Sequence, residues 1–213
     1  MLSIGLDPSM SGFGWCVHDS NALGKSRVLD KGRFASPSSA AFISRYIGLR
    51  ACVCDLLDGW PEVTHVGVES PPFGELWSEG LYGLFLYVNE AIYTRKRDVV
   101  YFDPLTLKYL TKEDPTLRQG KMFKADMIAL AKADTGIAKW SADEADAYHL
   151  ARFAARFWSL MDGTITQDVL LPTEQRVFLR EQTFTKGKHK GETHQDGTIF
   201  RENDRFFRFS ERK

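Results

Sequence analysis

Leu2-Ser3-Ile4-Gly5-Leu6-Asp7-Pro8-Ser9, followed by Gly12-Phe13-Gly14, opens the chain. The run at 2–6 is apolar and of strand length, and it stops on an acid. A Ser/Gly turn then leads into a second strand over 13–18. A third is expected over 27–34, bounded by Gly24 and by Pro37-Ser38-Ser39. Three strands joined by short turns imply an antiparallel meander.

Working outward, apolar positions at 42, 43, 46, 47, 49, 53, 56 and 57 recur at helical spacing. Ser38 or Ser39 is the expected cap of that helix, which runs to about Leu57. His65-Val66-Gly67-Val68-Glu69 is a compact strand ending in a second acid. After Pro71-Pro72 a helix is expected over 75–94, then a strand over 98–102 and a short helix over 104–110. Two more helices follow, one over 121–133 ended by Gly136 and one capped by Ser141 running to about Met161. Strands followed by alternating helix and strand specify an α/β fold with a mixed central sheet flanked by helices. The sequence divides into a main domain at 1–162 and a C-terminal extension at 163–213, where lysine/glycine punctuation replaces helical periodicity.

The 213 residues are 43% hydrophobic and 26% charged, which suits a folded core. No apolar run approaches the roughly 20 residues that span a bilayer, and the N-terminus lacks the basic start of a signal peptide. A cytoplasmic protein with no membrane association is expected. Cys16, Cys52 and Cys54 lack zinc-ligand spacing and read as reduced thiols. The net charge is zero, so local patches matter more than the sum for any contact with nucleic acid.

The acids carry the chemistry. Asp7 and Glu69 end strands, where an α/β sheet places its site. Asp143 and Asp146 are three apart near a helix start and project from one face. Alanines flank Asp146, and small neighbours let a helix approach a sheet closely. Four carboxylates at one point repel, by about 4 kcal/mol per pair at about 4 Å and an effective dielectric near 20. Divalent cations remove that penalty, and oxygen ligands select Mg²⁺ or Mn²⁺ rather than zinc. Two ions about 3.5–4 Å apart suit phosphodiester hydrolysis, one activating water and one stabilising the leaving oxygen. Each acid also has an ordinary explanation, most of all Asp143, whose place at a helix N-terminus favours the dipole.

Taken together, Ile4-Gly5-Leu6-Asp7-Pro8-Ser9 with Gly12-Phe13-Gly14, Val66-Gly67-Val68-Glu69 and Asp143-Glu144-Ala145-Asp146-Ala147 resemble the three acidic motifs of RuvC-type Holliday junction resolvases. The resemblance covers about residues 1–160. It implies an RNase H-like fold and a homodimer that cuts two strands of a four-way DNA junction, a crossover junction endodeoxyribonuclease of recombination and repair. It makes Asp7, Glu69, Asp143 and Asp146 the catalytic residues and the ligands of two Mg²⁺ or Mn²⁺ ions. Lys124, and less closely Lys108 and Lys121, match the family's DNA-contacting lysines, and Phe73 matches its base-probing aromatic. The chain departs from the pattern at Ser9, where glycine is usual, in a shorter loop after Asp7 and in a longer insert between Lys108 and Lys124. Those departures suggest a divergent, phage-like member in a bacterial or infected cell.

From 184 to 213, eight Lys/Arg against five Asp/Glu leave a net +3, interleaved with Phe200, Phe206, Phe207 and Phe209. Such a segment can clamp a phosphate backbone, pack its phenylalanines on the core, or dock a partner. Its Glu202-Asn203-Asp204 centre is a candidate hairpin turn. The helix over 75–94 is apolar nearly all round and needs a second cover, from a dimer partner or from the tail. Two readings compete with junction resolution: the same fold cutting other branched DNA or RNA–DNA hybrids, and a non-catalytic DNA-binding or structural protein.

Overall fold

The computed structural model describes residues 1–71, 79–112, 122–179, 181–183, 193–195, 199–202 and 205–208. Strands β1 (Leu2–Asp7), β2 (Phe13–Asp19) and β3 (Val28–Phe34) form the expected antiparallel meander. A single 3-10 turn, Gly24–Arg27, precedes β3 and delays its start by one residue. Strands β4 (His65–Glu69) and β5 (Asp98–Phe102) run parallel to β1. Helices α1 (Phe42–Gly59) and α2 (Glu79–Thr94) make the crossovers that parallel neighbours require.

Helices α3 (Pro104–Leu110), α4 (Lys124–Thr135) and α5 (Ala142–Met161) follow, then α6 (Pro172–Phe178). Two starts differ from expectation. Ser38 and Ser39 do not cap α1: Ala40 N–H donates to the Pro37 carbonyl at 3.1 Å, so a turn closes first and the helix begins after Ala41. Helix α4 begins at Lys124 rather than 121, because the Asp126 carboxylate accepts the Phe123 N–H at 2.8 Å and fixes the first turn there. It ends as expected on Gly136, at φ 69°. Ser141 caps α5 as expected, accepting the Glu144 N–H while Glu144 reaches back to the Ser141 N–H.

The tail joins the sheet. Strands β8 (Ile199–Glu202) and β9 (Arg205–Arg208) form the expected hairpin, and β8 pairs with β5, giving the order β3-β2-β1-β4-β5-β8-β9. Strands β6 (Glu181–Thr183) and β7 (Thr193–Gln195) form a separate pair. Phe200 is fully buried, with its ring 5.4 Å from Phe157 and 5.7 Å from Trp158, so this phenylalanine packs on the core. The side chains of Phe206, Phe207 and Phe209 lie outside the described residues. Upstream, Arg156 donates twice to the buried Glu174 carboxylate, at 3.0 and 2.8 Å, and ties α6 to α5.

Side chains alternate across the strands, so two cores form. Ile4, Leu6, Val17, Val66, Val68 and Val99 face α1 and α2. Val100 and Phe102 face the other way, towards α3, α5 and α6. No helix of the described residues is long and apolar enough to cross a membrane, and all three cysteines are free.

Candidate active site

Strand parity assigns Ser3, Gly5 and Asp7 of β1, and His65, Gly67 and Glu69 of β4, to the α5 side of the sheet. The contacts agree. Ser3 donates to the Ala151 carbonyl at 2.8 Å, and His65 stacks on Trp158 at 4.8 Å between centroids. A methyl group on Gly5 would lie 1.8 Å from the Ala147 carbonyl oxygen, and one on Gly67 would lie 2.5 Å from that of Leu150. Helix α5 therefore crosses β1 and β4 almost backbone to backbone, through the small residues that flank Asp146. At its first turn Gly14 serves the same end, since a methyl there would meet the Asp143 carbonyl at 2.1 Å.

This packing brings the acids to one end of the sheet. Leu6 pairs with Val68, so Asp7 and Glu69 come next, side by side on parallel strands. Asp143 and Asp146 lie on the first two turns of α5, and Asp7 and Asp146 are each only 8% exposed. Burial, then the charges of Asp146 and Asp143, push the Asp7 carboxyl up to about 8, with Lys124 opposing. Burial, then Asp7 and Asp146, hold Glu69 well above the usual carboxylate range, with Lys108 opposing. Burial raises Asp146 to about 6 against the pull of Lys124 and Lys108. One Asp146 oxygen, Oδ1, is fully buried without a hydrogen-bond partner.

Asp143 stands apart from these three. Its Oδ2 lies 2.9 Å from Arg33 Nε and its Oδ1 lies 3.8 Å from Lys124 Nζ. The four expected acids thus lie at one end of the sheet, but three repel one another, Asp7 and Asp146 buried and Glu69 half-buried, while the fourth is balanced by cations. Among the described residues, no three His, Cys, Asp or Glu side chains stand together as a formed metal cage. The donors fit a hard divalent cation all the same: they are carboxylate oxygens, buried, mutually repelling, and one is orphaned. A cation would favour the charged forms of Asp7 and Glu69.

Of the expected DNA contacts, Lys108 on α3 and Lys124 at the start of α4 lie near enough for their charges to act on the acids. Lys121 and Phe73 lie outside the described residues. Three neighbours were not foreseen. Arg33 reaches Asp143 from β3. Asp103 caps α3 through the Leu105 and Thr106 N–H groups, and its charge acts on Glu69. Phe123, 73% exposed, directly precedes Lys124. The sequence carries a signal for Phe123, an aromatic beside a lysine at a helix start, and for Asp103, an acid before a proline at another. Arg33 acquires its meaning from strand register, opposite Gly14.

No family model and no curated protein matches the chain. Among solved structures it is similar to RuvC of Thermus thermophilus, with a TM-score of 0.61 and 19% identity over 77% of this chain and 98% of that one. It is also similar to the T. thermophilus RuvC in complex with a Holliday junction substrate, with a TM-score of 0.57 and 18% identity over 73% and 95% of the two chains. Meander, crossovers and the helix laid across β1 and β4 together give this chain the α/β, RNase H-like fold in the form that RuvC takes.

Proposed function

We propose that this protein is a divalent-metal-dependent endodeoxyribonuclease that resolves four-way DNA junctions by paired phosphodiester hydrolysis. The observation that carries the reading is the convergence of mutually repelling Asp7, Glu69 and Asp146, two of them buried and Glu69 half-buried, beside Lys108 and Lys124. Such a group is costly to bury unless a cation occupies it. Asp7, Glu69 and Asp146 would hold Mg²⁺ or Mn²⁺, with Asp143 completing the set for a second ion. When bound, the two ions supply an activated water and stabilisation of the leaving oxygen. The chain itself contributes orientation: the Gly5 and Gly67 contacts fix α5, and α5 fixes Asp146 against Asp7 and Glu69. Lys108 and Lys124 provide positive charge for the scissile phosphate and its neighbour. The likeness to a RuvC solved on a Holliday junction supports a branched substrate.

Paired nicks need two active sites, and a homodimer is part of the proposal. Phe42, Ile43 and Ile47 of α1 and Tyr82, Leu86 and Tyr93 of α2 are exposed large apolar residues on two helices that pack together. Large apolar side chains left in water on two neighbouring helices are what a second copy would cover.

The test presents labelled four-way junction, flap, RNA–DNA hybrid and linear duplex with Mg²⁺, with Mn²⁺ and with EDTA. Symmetric paired nicks in the junction, lost in EDTA and in Asp146→Asn, are expected. Cleavage of another substrate in preference to the junction would move the assignment to that substrate. No cleavage of any of them, with Mn²⁺ binding the same in wild type and Asp146→Asn, would end the nuclease reading.

A further inference from the structure

The ion pair between Arg33 and Asp143 has a built setting. Arg33 Nε lies 2.9 Å from Asp143 Oδ2, and the Asp143 side chain is 18% exposed. Gly12 makes room for both partners: a methyl group there would lie 2.3 Å from Arg33 Nη2 and 2.5 Å from Asp143 Oδ2. Three separate elements therefore converge on this contact: the turn before β2, strand β3 and the first turn of α5.

Two residues earlier on β3, Lys31 makes a second ion pair to the same turn of α5, at 2.9 Å from Glu144. Glu144 is further held by the Ser141 N–H at 2.8 Å, and Lys31 sits over the Trp140 ring at 4.7 Å. That second pair anchors the start of α5. Arg33 engages the neighbouring carboxylate, Asp143, whose charge acts on Asp7 and Asp146.

We propose that Arg33 is a positioning residue that competes with the metal for Asp143, so that cation binding at this carboxylate requires Asp143 to leave the guanidinium. The inference rests on reading Asp143 as a ligand, and it deepens that reading by naming what limits it. An oxygen engaged by a charged N–H donor is less available as a ligand, and a fixed positive charge beside the site repels an arriving cation. Lys124, at 3.8 Å from Oδ1, adds to the same field from the other side. Arg33 thus sets how tightly the DNA-free protein takes up metal, and makes the Asp143 position the weaker one to load.

The experiment measures Mn²⁺ affinity and stoichiometry of the DNA-free, full-length protein, by titration calorimetry and by the paramagnetic resonance of free Mn²⁺. Arg33→Gln is expected to bind Mn²⁺ on the order of five- to ten-fold more tightly, the factor carried by a partly exposed ion pair and the repulsion it removes. Lys31→Gln controls for a purely structural clamp: it is expected to lower the melting temperature without any gain in Mn²⁺ affinity. In an Asp143→Asn background, Arg33→Gln is expected to give less than a two-fold gain. Arg33→Lys, which keeps the charge but loses the planar fork, is expected to fall between wild type and Arg33→Gln, and gives the readout should Arg33→Gln fail to fold. Unchanged or weaker binding in Arg33→Gln, an equal gain in Lys31→Gln, or a gain that survives in the Asp143→Asn background overturns the role of Arg33 while leaving the metal site standing. Absence of any Mn²⁺ binding by the wild type would remove both the metal site and this inference.

Discussion

On one face of the sheet, α1 and α2 bury Leu49, Val53, Leu84 and Val88 against Ile4, Leu6, Val66 and Val68; on the other, α5 meets Gly5 and Gly67 almost backbone to backbone. The first contact is made by branched aliphatic side chains, whose neighbours can repack around a change. The second has no side chain to adjust. That rigidity has a use, because the α5 face carries Asp7, Glu69 and Asp146, whose mutual placement depends on the helix staying where the glycines put it. Both faces supply apolar stability, and the α5 face also holds repelling charge in register.

The largest expected effect comes from the charged face. Asp146→Asn should lower cleavage by at least about 10²–10³-fold, as removal of one preorganised electrostatic group does elsewhere. Without metal the same substitution should stabilise the fold, because it removes a buried charge whose Oδ1 lacks a partner. A gain of about 1 kcal/mol would raise the melting temperature by about 2–4 °C in a protein of this size. Thermal unfolding with EDTA and with Mg²⁺ checks both halves: the variant melts higher in EDTA and loses most of the Mg²⁺-induced rise. A variant less stable than wild type in EDTA would show that the acids are not strained by one another.

Next in size is the contact itself. Gly5→Ala places a methyl 1.8 Å from a backbone oxygen, so α5 must move or the strand must bend. A loss of about 3 kcal/mol is expected, at the upper end for overpacking. Val53→Ala, on the opposite face, should cost about 2 kcal/mol by leaving a cavity. The discriminating readout is Mn²⁺ affinity: it should fall in Gly5→Ala and hold in Val53→Ala. Equal affinity in both would break the link between close packing and acid placement.

What the sequence discloses differs between the same two regions. Short strands that end on Asp7 and Glu69, and the alanines beside Asp146, already specify a helix pressed to a sheet with acids at its edge. Strand periodicity and helical spacing are local properties, and each survives folding unchanged. Arg33 was invisible because nothing local marks it: its role depends on β3 lying in register with Gly14 and on Gly12 leaving room, both facts of tertiary structure. Ser38 and Ser39 misled for a related reason, as Pro37 closes a turn that competes with the cap. The tail's three open readings were resolved only at Phe200, whose burial depends on β8 reaching the edge of β5.

A third test uses the neutral histidines of the α5 face. Burial, then the charges of Arg27 and Arg152, lowers His18 to about 4, and burial, then Arg152, lowers His149 to about 3. Below pH 6.5 the unfolded chain takes up protons that folded His18 refuses until about pH 4, so its contribution to stability falls as pH drops through that window. The slope is about 1.4 kcal/mol per pH unit for one such group. Asp7 and Asp146 act with the opposite sign, since their raised values let the folded state keep protons that the unfolded chain has lost. Urea unfolding of wild type against His18→Gln cancels the carboxylate contribution common to both. The stability difference, wild type minus variant, should fall between pH 6.5 and pH 4.5 and stay flat above pH 7. A difference constant across the whole range would mean that His18 titrates alike in the folded and the unfolded chain.

The smallest effect belongs to the outer surface of the other face. Leu86 is 50% exposed on α2, with Ile47 at 55% on the adjoining α1. A charge at either position costs the monomer little, within about 0.5 kcal/mol, because the side chain is already in water. If the band joins two copies of the chain, the same charge appears twice at a two-fold interface and opposes itself. Leu86→Glu should therefore shift the protein from dimer to monomer in sedimentation at micromolar concentration, with its melting profile at high dilution unchanged. It should also split the cleavage reaction, leaving single nicks while the two cuts lose their coupling. Lys31→Glu, on the opposite side of the sheet, should disturb the start of α5 without altering mass. A Leu86→Glu protein that sediments like wild type would place the dimer contact elsewhere, and the two faces would then differ only in how they are packed.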